Sequence, residues 1–322
     1  MNPQTGIRLS IVIVNYNGRH FLDDCLQSIR RLVGCSHEII VVDNASADGS
    51  CDYLRAHYPD IALIPSAINT GFTGGNNLGA RHARGEYLLL LNNDTKLLTD
   101  VIPAIDALAA DADLGVVGGR LFYGDGRQQP SFGFEHMPLR LCLSWIGLAS
   151  RHGLPSIFRR TETNPLSYEE NSSRVMWVSG AFLFTRKSIW DRLGGLDESY
   201  FMYVEDVDYC KRVRDAGYRV AYRSDIKTVH YEGAGRVWIG ERALLNTMNS
   251  YLIYTRKFHG WLGLLVLRLS LGPVMLARAA SYAVPAWVMR SQVAREKFVA
   301  FMTAGRRLIL APARYHQQGQ GR

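Results

Sequence analysis

"EYLLLLNNDT", Glu86 to Thr95, drives four consecutive leucines straight into two asparagines and an aspartate, with no Gly or Pro to ease the change. A short, sharply bounded apolar run is what a strand buried on both faces of a parallel sheet looks like, because helices cover both sides and the usual alternation is lost. Four further segments share its character: "LSIVIVN" (Leu9 to Asn15), "EIIVVD" (Glu38 to Asp43), "IALIP" (Ile61 to Pro65) and "LGVVGG" (Leu114 to Gly119). Helix-like stretches near 19–33, 46–57, 74–84 and 99–110 separate them at lengths suited to crossovers. The first 120 residues therefore predict an α/β sandwich.

Polar residues gather at the carboxyl ends of these strands: Asn15 and Asn17 after the first, Asp43 and Asn44 after the second, Asn92, Asn93 and Asp94 after the fourth. Any one of them is ambiguous, since Asp and Asn also favour turns and helix N-caps. Three sets at the same edge predict a ligand crevice, because open α/β sheets bind their ligands beyond the strand carboxyl ends. Asp94 is expected to face that crevice.

The chain of 322 residues is 47% hydrophobic, enough for one large core or two modest ones, and its five cysteines show no C-x-x-C spacing. That cysteine pattern suits a reducing compartment. The N-terminus "MNPQTGIRLS" lacks the basic-then-apolar order of a secretory signal, so the first strand is expected to lie in the cytosol. Net charge is +8, unevenly spread: Tyr251 to Arg322 holds eleven Lys or Arg against the single acid Glu296, a net of +10, leaving −2 for the first 250 residues. A nearly neutral body thus carries a strongly basic tail.

Residues 121–174, rich in Gly, Pro, Arg and aromatics, show no clear period and read as a long excursion at the mouth of the site. Regular structure resumes with "RVMWVSGAFLFTR" (Arg174 to Arg186), a strand pair or bent strand carrying Gly180. "YVEDVDYCKRVRDAGY" reads as a helix stopped by Gly217, with Glu205, Asp206 and Asp208 in its first turn. Acids there complement the helix dipole, yet three within four residues repel one another, and a carboxylate so crowded at a cleft is also a candidate general base. Both readings stand on the residues alone. His230 in "TVHYEG" has a use only if Asp94 is a metal ligand needing an imidazole partner. No P-loop, no G-x-G-x-x-G after the first strand and no G-x-S-x-G occur.

Taken in order, "SIVIVNYNG" (Ser10 to Gly18), "VVDNASADGS" (Val41 to Ser50), "NTGFTGGNNLGARHARGEYLLLLNNDT" (Asn69 to Thr95), "GAFLFTRKSIWDRLGGLDESYFMYVEDVDYCKR" (Gly180 to Arg212) and "VHYEG" resemble glycosyltransferase family 2 and, within it, a bacterial rhamnosyltransferase-like branch. The resemblance covers about 1–235. It implies a GT-A fold, a mostly parallel central sheet flanked by helices, with a nucleotide-diphosphate sugar donor and inversion at the anomeric carbon. By position, it implies that Asn15 and Asp43 line the base and ribose pocket, Asp43 accepting from a pyrimidine N–H, and that Asn77 supports the nucleotide side. "NND" stands where the family usually has D-x-D, which puts Asn92 and Asn93 at the donor and makes Asp94 the carboxylate for a divalent cation, Mg²⁺ or Mn²⁺. Asn92 in place of the first acid implies weaker metal binding, since an amide is a poorer ligand for a hard cation. Asp206 matches the catalytic base, with Gly180 and Glu205 beside it in the donor and acceptor pocket. His230 matches a residue that in some members completes the metal site.

In the tail, Phe258 to Met289 is apolar but interrupted by Arg268 and Arg278, with Pro273 and Pro285 as kinks, a poor pattern for a spanning helix. On one continuous helix, Lys257, Arg268 and Arg290 would share a side, with apolar residues, Trp261 and Trp287 over much of the rest. That describes helices lying on an anionic membrane. The stripe has two other uses, packing on the catalytic domain or on a second subunit of a homodimer. Nucleic acid is disfavoured, since the tail is apolar and holds no recognised module.

The expected organisation is a catalytic domain over 1–235, divided at 1–120, 121–174 and 175–235, with a basic amphipathic helical region over 236–322. The expected function is a cytoplasmic, peripheral membrane transferase moving a sugar, L-rhamnose from dTDP-rhamnose in the leading case, to a glycan or polyprenyl-diphosphate-linked acceptor of surface polysaccharide synthesis. The alternatives are a UDP-sugar donor or a non-catalytic nucleotide-sugar-binding scaffold.

Overall fold

The computed structural model describes residues 6–147, 159–231 and 240–311. In chain order the first half runs β1 (Leu9–Asn15), α1 (Arg19–Leu32), β2 (His37–Asp43), α2 (Ser50–His57), β3 (Ala62–Pro65), α3 (Gly71–His82), β4 (Tyr87–Asn92), β5 (Thr95–Leu97), α4 (Ile102–Ala110) and β6 (Leu114–Phe122). The five apolar runs of the sequence are β1, β2, β3, β4 and β6. Period two divides the leucine run of β4 between both sides of the sheet: Leu88 and Leu90 join one core cluster, Leu89 and Leu91 the other. All four are at most 2% exposed. Each contributes on the order of 1.5–3 kcal/mol of burial, and this is why the run shows no alternation.

The second half supplies β7 (Gln128–Gln129), β8 (Phe132–Gly133), α5 (Pro138–Trp145), β9 (Trp177–Val178), β10 (Phe182–Arg186), α6 (Lys187–Leu193), α7 (Glu205–Asp215) and β11 (Arg219–His230). The main sheet has nine strands in the order β3-β2-β1-β4-β10-β6-β11-β5, with β7 on β6. Its β3-β2-β1-β4 half is parallel, β10 lies antiparallel between β4 and β6, and β11 runs parallel to β6. Registers are flush where it matters. Asn15 lies opposite Asp43, and Val14 opposite Asn92, so the polar strand ends form one edge. The antiparallel pairing of β11 with β5 sets His230 opposite Thr95. This pairing carries a residue from the end of the core back to the NND turn.

The C-terminal region is α8 (Gly240–Ser281), α9 (Ala283–Trp287) and α10 (Gln292–Leu310). The boundary drawn at 235 and the last residues of VHYEG lie outside the described residues, as do 148–158 of the excursion. Packing runs straight across that boundary: Leu244, Met248, Tyr251, Leu252 and Tyr254 of α8 share a core cluster with Val178, Val207 and Tyr222. Lys257 ties α8 to the body through Asp197 and Asp208, each at 2.6 Å. Beyond it Gly260 adopts φ 63° and ψ −154°, a conformation that breaks the helix in two and that favours glycine. α10 then folds back along α8, and a side chain at Gly305 would come within 2.6 Å of Leu276.

This geometry corrects the cationic stripe read from the sequence. The helix is not continuous, Lys257 is spent on Asp197 and Asp208, and Arg268 donates to the carbonyls of Ile309 (3.0 Å) and Ala311 (2.6 Å) at the end of α10. Arg290 stands in the connection after α9. What α8 and α9 do leave outside is apolar: Trp261, Leu262, Leu265, Leu269, Val284, Trp287, Val288 and Met289 are all half or more exposed. Among the described residues, one helical run, Gly240–Trp287, is long and apolar enough to cross a membrane, with 33% of its apolar window buried against the protein.

Candidate active site

The strand ends are bound into one polar network. Asn15 Nδ2 donates to Asp43 Oδ2 (3.0 Å) and Ser46 Oγ (3.1 Å), Asn93 Nδ2 donates to Asn15 Oδ1 (2.8 Å), and the Ser46 amide donates to Asp43 Oδ1 (2.9 Å). Asn15 and Asp43 are buried, and each Asp43 oxygen keeps a second lone pair for a ligand donor. The glycine of "NYNG" is required by this network, since a Cβ on Gly18 would lie 2.0 Å from Asn93 Nδ2. Ser46 belongs to the same network, and its signal in the sequence was only that it follows Asp43; the Asn44 side chain instead bonds Asn69, Thr70 and Gly71.

Asn77, expected to support the nucleotide side, makes no bond to this network. Its Nδ2 donates to the Leu196 carbonyl (2.8 Å) and Glu198 Oε1 (3.0 Å), and its Oδ1 accepts from the Leu196 amide (2.9 Å). With both ends engaged and the residue buried, Asn77 staples α3 to the loop after α6.

At the NND turn, Asp94 is 3% exposed, with Oδ1 3.2 Å from His230 Nε2. His230 Nδ1 lies 3.1 Å from Gln129 Oε1, and in the tautomer that donates to this oxygen Nε2 presents a lone pair. In that tautomer a carboxylate oxygen and a ring lone pair lie side by side, an arrangement suited to a shared cation. Asn92 Nδ2 is 3.1 Å from the same Nε2, while its Oδ1 is buried without a partner. A half-turn of the amide would exchange the two atoms and offer that oxygen as a third donor. Carboxylate, imidazole and amide oxygen together fit a divalent cation. Among the described residues no three His, Cys, Asp or Glu converge, so any remaining positions fall to water or to a ligand's phosphate oxygens.

The three acids of α7 have separate fates. Asp208, fully buried, is neutralised by Arg212 Nε and Lys257 Nζ, both at 2.6 Å. Glu205 is 6% exposed, and its Oε2 has no partner. Burial first, and then the neighbouring Asp206 charge, push its carboxyl well above the usual range. Asp206 is half-buried and accepts from the Gly180 amide (2.9 Å) and the Val207 amide (2.8 Å). Burial raises its pKa, and these N–H groups oppose the rise. The chain enters α7 through Tyr203 and Val204 in the left-handed region, at φ 71° and 69°.

A cavity of about 690 Å³ is lined by Asn92 and His230 together with Gly180, Glu205 and Asp206. It also takes in Arg160, His136 and Trp145 from the excursion, and Thr247, Tyr251 and Arg278 from α8. None of these was singled out in the sequence, because no local pattern connects an aperiodic loop or an apolar tail to a sheet edge.

The architecture is of the GT-A type. It is similar to the mannosyltransferase PcManGT from Pyrobaculum calidifontis, solved in complex with GDP-Man and Mn²⁺, with a TM-score of 0.57 at 16% identity, covering 96% of this chain and 88% of that one. Residues 10–164 match the Glycosyl transferase family 2 description. The chain is 26% identical over 273 residues to the N-acetylglucosaminyl-diphospho-decaprenol L-rhamnosyltransferase of Mycobacterium tuberculosis, covering 79% of this chain and 86% of that protein. It is 24% identical over 228 residues to Rhamnosyltransferase WbbL of Escherichia coli, covering 69% and 82%. Residues 10–164 thus carry the match to glycosyltransferase family 2, and the chain is similar to bacterial rhamnosyltransferases.

Proposed function

We propose that the protein transfers a sugar, with inversion, from a nucleoside-diphosphate donor to a polyprenyl-diphosphate-linked glycan acceptor of cell-surface polysaccharide synthesis. L-rhamnose from dTDP-rhamnose is the leading donor, on the names of the rhamnosyltransferase relatives. The observation that carries the reading is that Asp206 lines the same cavity as Asn92 and His230. The acceptor hydroxyl oxygen attacks the anomeric carbon from the Asp206 side, its proton passes to Asp206, and the bond to the diphosphate oxygen breaks on the opposite face. The nucleoside diphosphate leaves with the electron pair. One carboxylate suffices on the sugar, unlike the paired carboxylates of glycosidases.

Asp94, His230 and the Asn92 amide would hold a divalent cation, whose chemistry there is to offset negative charge on the leaving diphosphate. Asn15, Asp43 and Asn93 bind and orient the nucleoside end. Asp206, its affinity for a proton raised by burial, is better matched to a hydroxyl proton than an exposed aspartate would be.

The exposed apolar face of α8 and α9 lies on an anionic membrane, inserted at Trp261, Leu262, Leu265 and Leu269 and rimmed by the exposed Arg256, Arg290, Arg295 and Arg306. A flat placement leaves Arg268 and Arg278 in their carbonyl contacts, at 2.6–3.0 Å.

Calorimetric titration with dTDP, UDP and GDP, each with and without Mn²⁺, tests the donor side. Metal-dependent binding of one nucleotide is expected and names the base. Asp206→Asn should keep that binding and lose about 10²–10⁴ in turnover; unchanged turnover would remove the base, and absence of turnover in the native protein with any acceptor would leave the scaffold reading.

A further inference from the structure

The cavity also holds basic groups that the sugar-transfer step does not use. Arg278 of α8 is fixed there: its Nη2 donates to the Trp145 carbonyl (2.6 Å), and its guanidinium lies 5.8 Å from the centres of the Trp145 and Phe301 rings. Arg160 reaches in from the excursion, where Nη1 donates to Tyr251 Oη (3.2 Å) and Nε is buried without a partner. His136 is 1% exposed, and its Nδ1 also lacks a partner. The acids of the same region are already engaged, Glu135 by Arg214 (2.5 Å) and Glu162 by Arg159 (2.8 Å). Two guanidinium groups and an unpartnered buried imidazole nitrogen therefore face the space that Asp206 also lines, and neither arginine has a carboxylate in direct ion-pair contact among the described residues.

We infer that Arg160, Arg278 and His136 form the binding site for the diphosphate group of the acceptor lipid, placing the acceptor hydroxyl at Asp206. The inference rests on the transferase reading above and deepens it. An organic diphosphate carries several negative charges and tetrahedral oxygens, which guanidinium groups recognise two at a time. The donor diphosphate has its own place at Asp94 and His230, so this second site serves a second diphosphate. A lipid held here has somewhere to send its chain. Ile146, beside Trp145, is 44% exposed, and α8, which carries Arg278, continues into the exposed Val284, Trp287 and Val288.

The test uses the full chain with its donor site saturated by the nucleoside diphosphate it binds and Mn²⁺, titrated with farnesyl diphosphate and, in parallel, farnesol. Farnesyl diphosphate should bind and farnesol should not. Arg160→Gln and Arg278→Gln should each weaken farnesyl diphosphate at least tenfold while leaving nucleoside diphosphate affinity within about twofold. Unchanged farnesyl diphosphate binding in both variants overturns the site, as does equal binding of farnesol, which would mean an apolar groove alone. Variants that weaken the nucleoside diphosphate instead assign the arginines to the donor and overturn it too. Should a glutamine variant not fold, the lysine variants decide: several-fold weaker binding supports guanidinium recognition, and native affinity refutes it. If native protein binds nucleotide but no farnesyl diphosphate, only this inference falls. If it binds neither, the transferase reading falls first.

Discussion

Two adjacent carboxyl groups in α7 do opposite work, and their surroundings decide which. Both line the cavity, but Asp206 is steadied by two backbone N–H groups, whereas Glu205 is 6% exposed with one oxygen unpartnered. Tyr203 and Val204, left-handed and immediately upstream, set this entry to the helix at a cost of order 1–3 kcal/mol each, a strain that persists only where surrounding packing enforces it. Because the folded pKa of Glu205 is raised, the native state holds a proton that the unfolded state releases above its own pKa of about 4.3. The stabilisation is complete below that pH and is lost as pH rises through the folded value. Urea unfolding across pH should therefore show a decline on the alkaline side of about 4.3 that Glu205→Gln flattens; an identical slope in the variant would mean that Glu205 is ionised in the fold. At this scale the sequence was informative wherever a polar residue ended an apolar run, as at Asn15, Asp43 and Asp94. It was silent at Asn77, whose place between glycines and small residues gave no hint that Leu196 and Glu198, far along the chain, take both ends of its amide.

Among the elements, α8 is the one whose role depends most on what it meets. Helical spacing placed Lys257 and Arg268 on one side but could not say that Asp208 or the end of α10 waits there. Periodicity reports which residues share a face, and the partner of that face is a tertiary fact. The sheet was legible for the converse reason: burial on both sides leaves its mark on each strand locally. The excursion was opaque because its strands, β7 and β8, are two residues each, and β8 is held by a partner more than forty residues on. Lys257→Met is expected to destabilise the fold by about 1–3 kcal/mol, since Arg212 still shares the fully buried Asp208. Thermal unfolding would show it, and a change under about 0.5 kcal/mol would mean that the ion pairs are not what docks α8.

For the molecule as a whole, charge and apolar surface lie at one end of the chain while the sheet edge lies at the other, and α8 joins them. Replacing Leu262, Leu265 and Leu269 together by Ser should weaken binding to anionic vesicles by roughly a hundredfold or more, at about 1–2 kcal/mol per leucine inserted. All three are exposed, so stability and nucleotide binding should stay near native values. Co-sedimentation that persists in the triple variant would place the membrane contact elsewhere. Truncation is the wrong instrument for this question, because Thr247, Tyr251 and Arg278 line the cavity and would leave with the tail.

That shared helix bears on how such proteins can be recombined. A chimera that exchanges residues 240–311 with a relative would carry over the acceptor-side wall and the apolar face in one piece, while the nucleotide end stayed with the host. Donor preference and lipid preference should then segregate as two separately inherited traits, and no splice point inside α8 would divide the lipid trait from the cellular address.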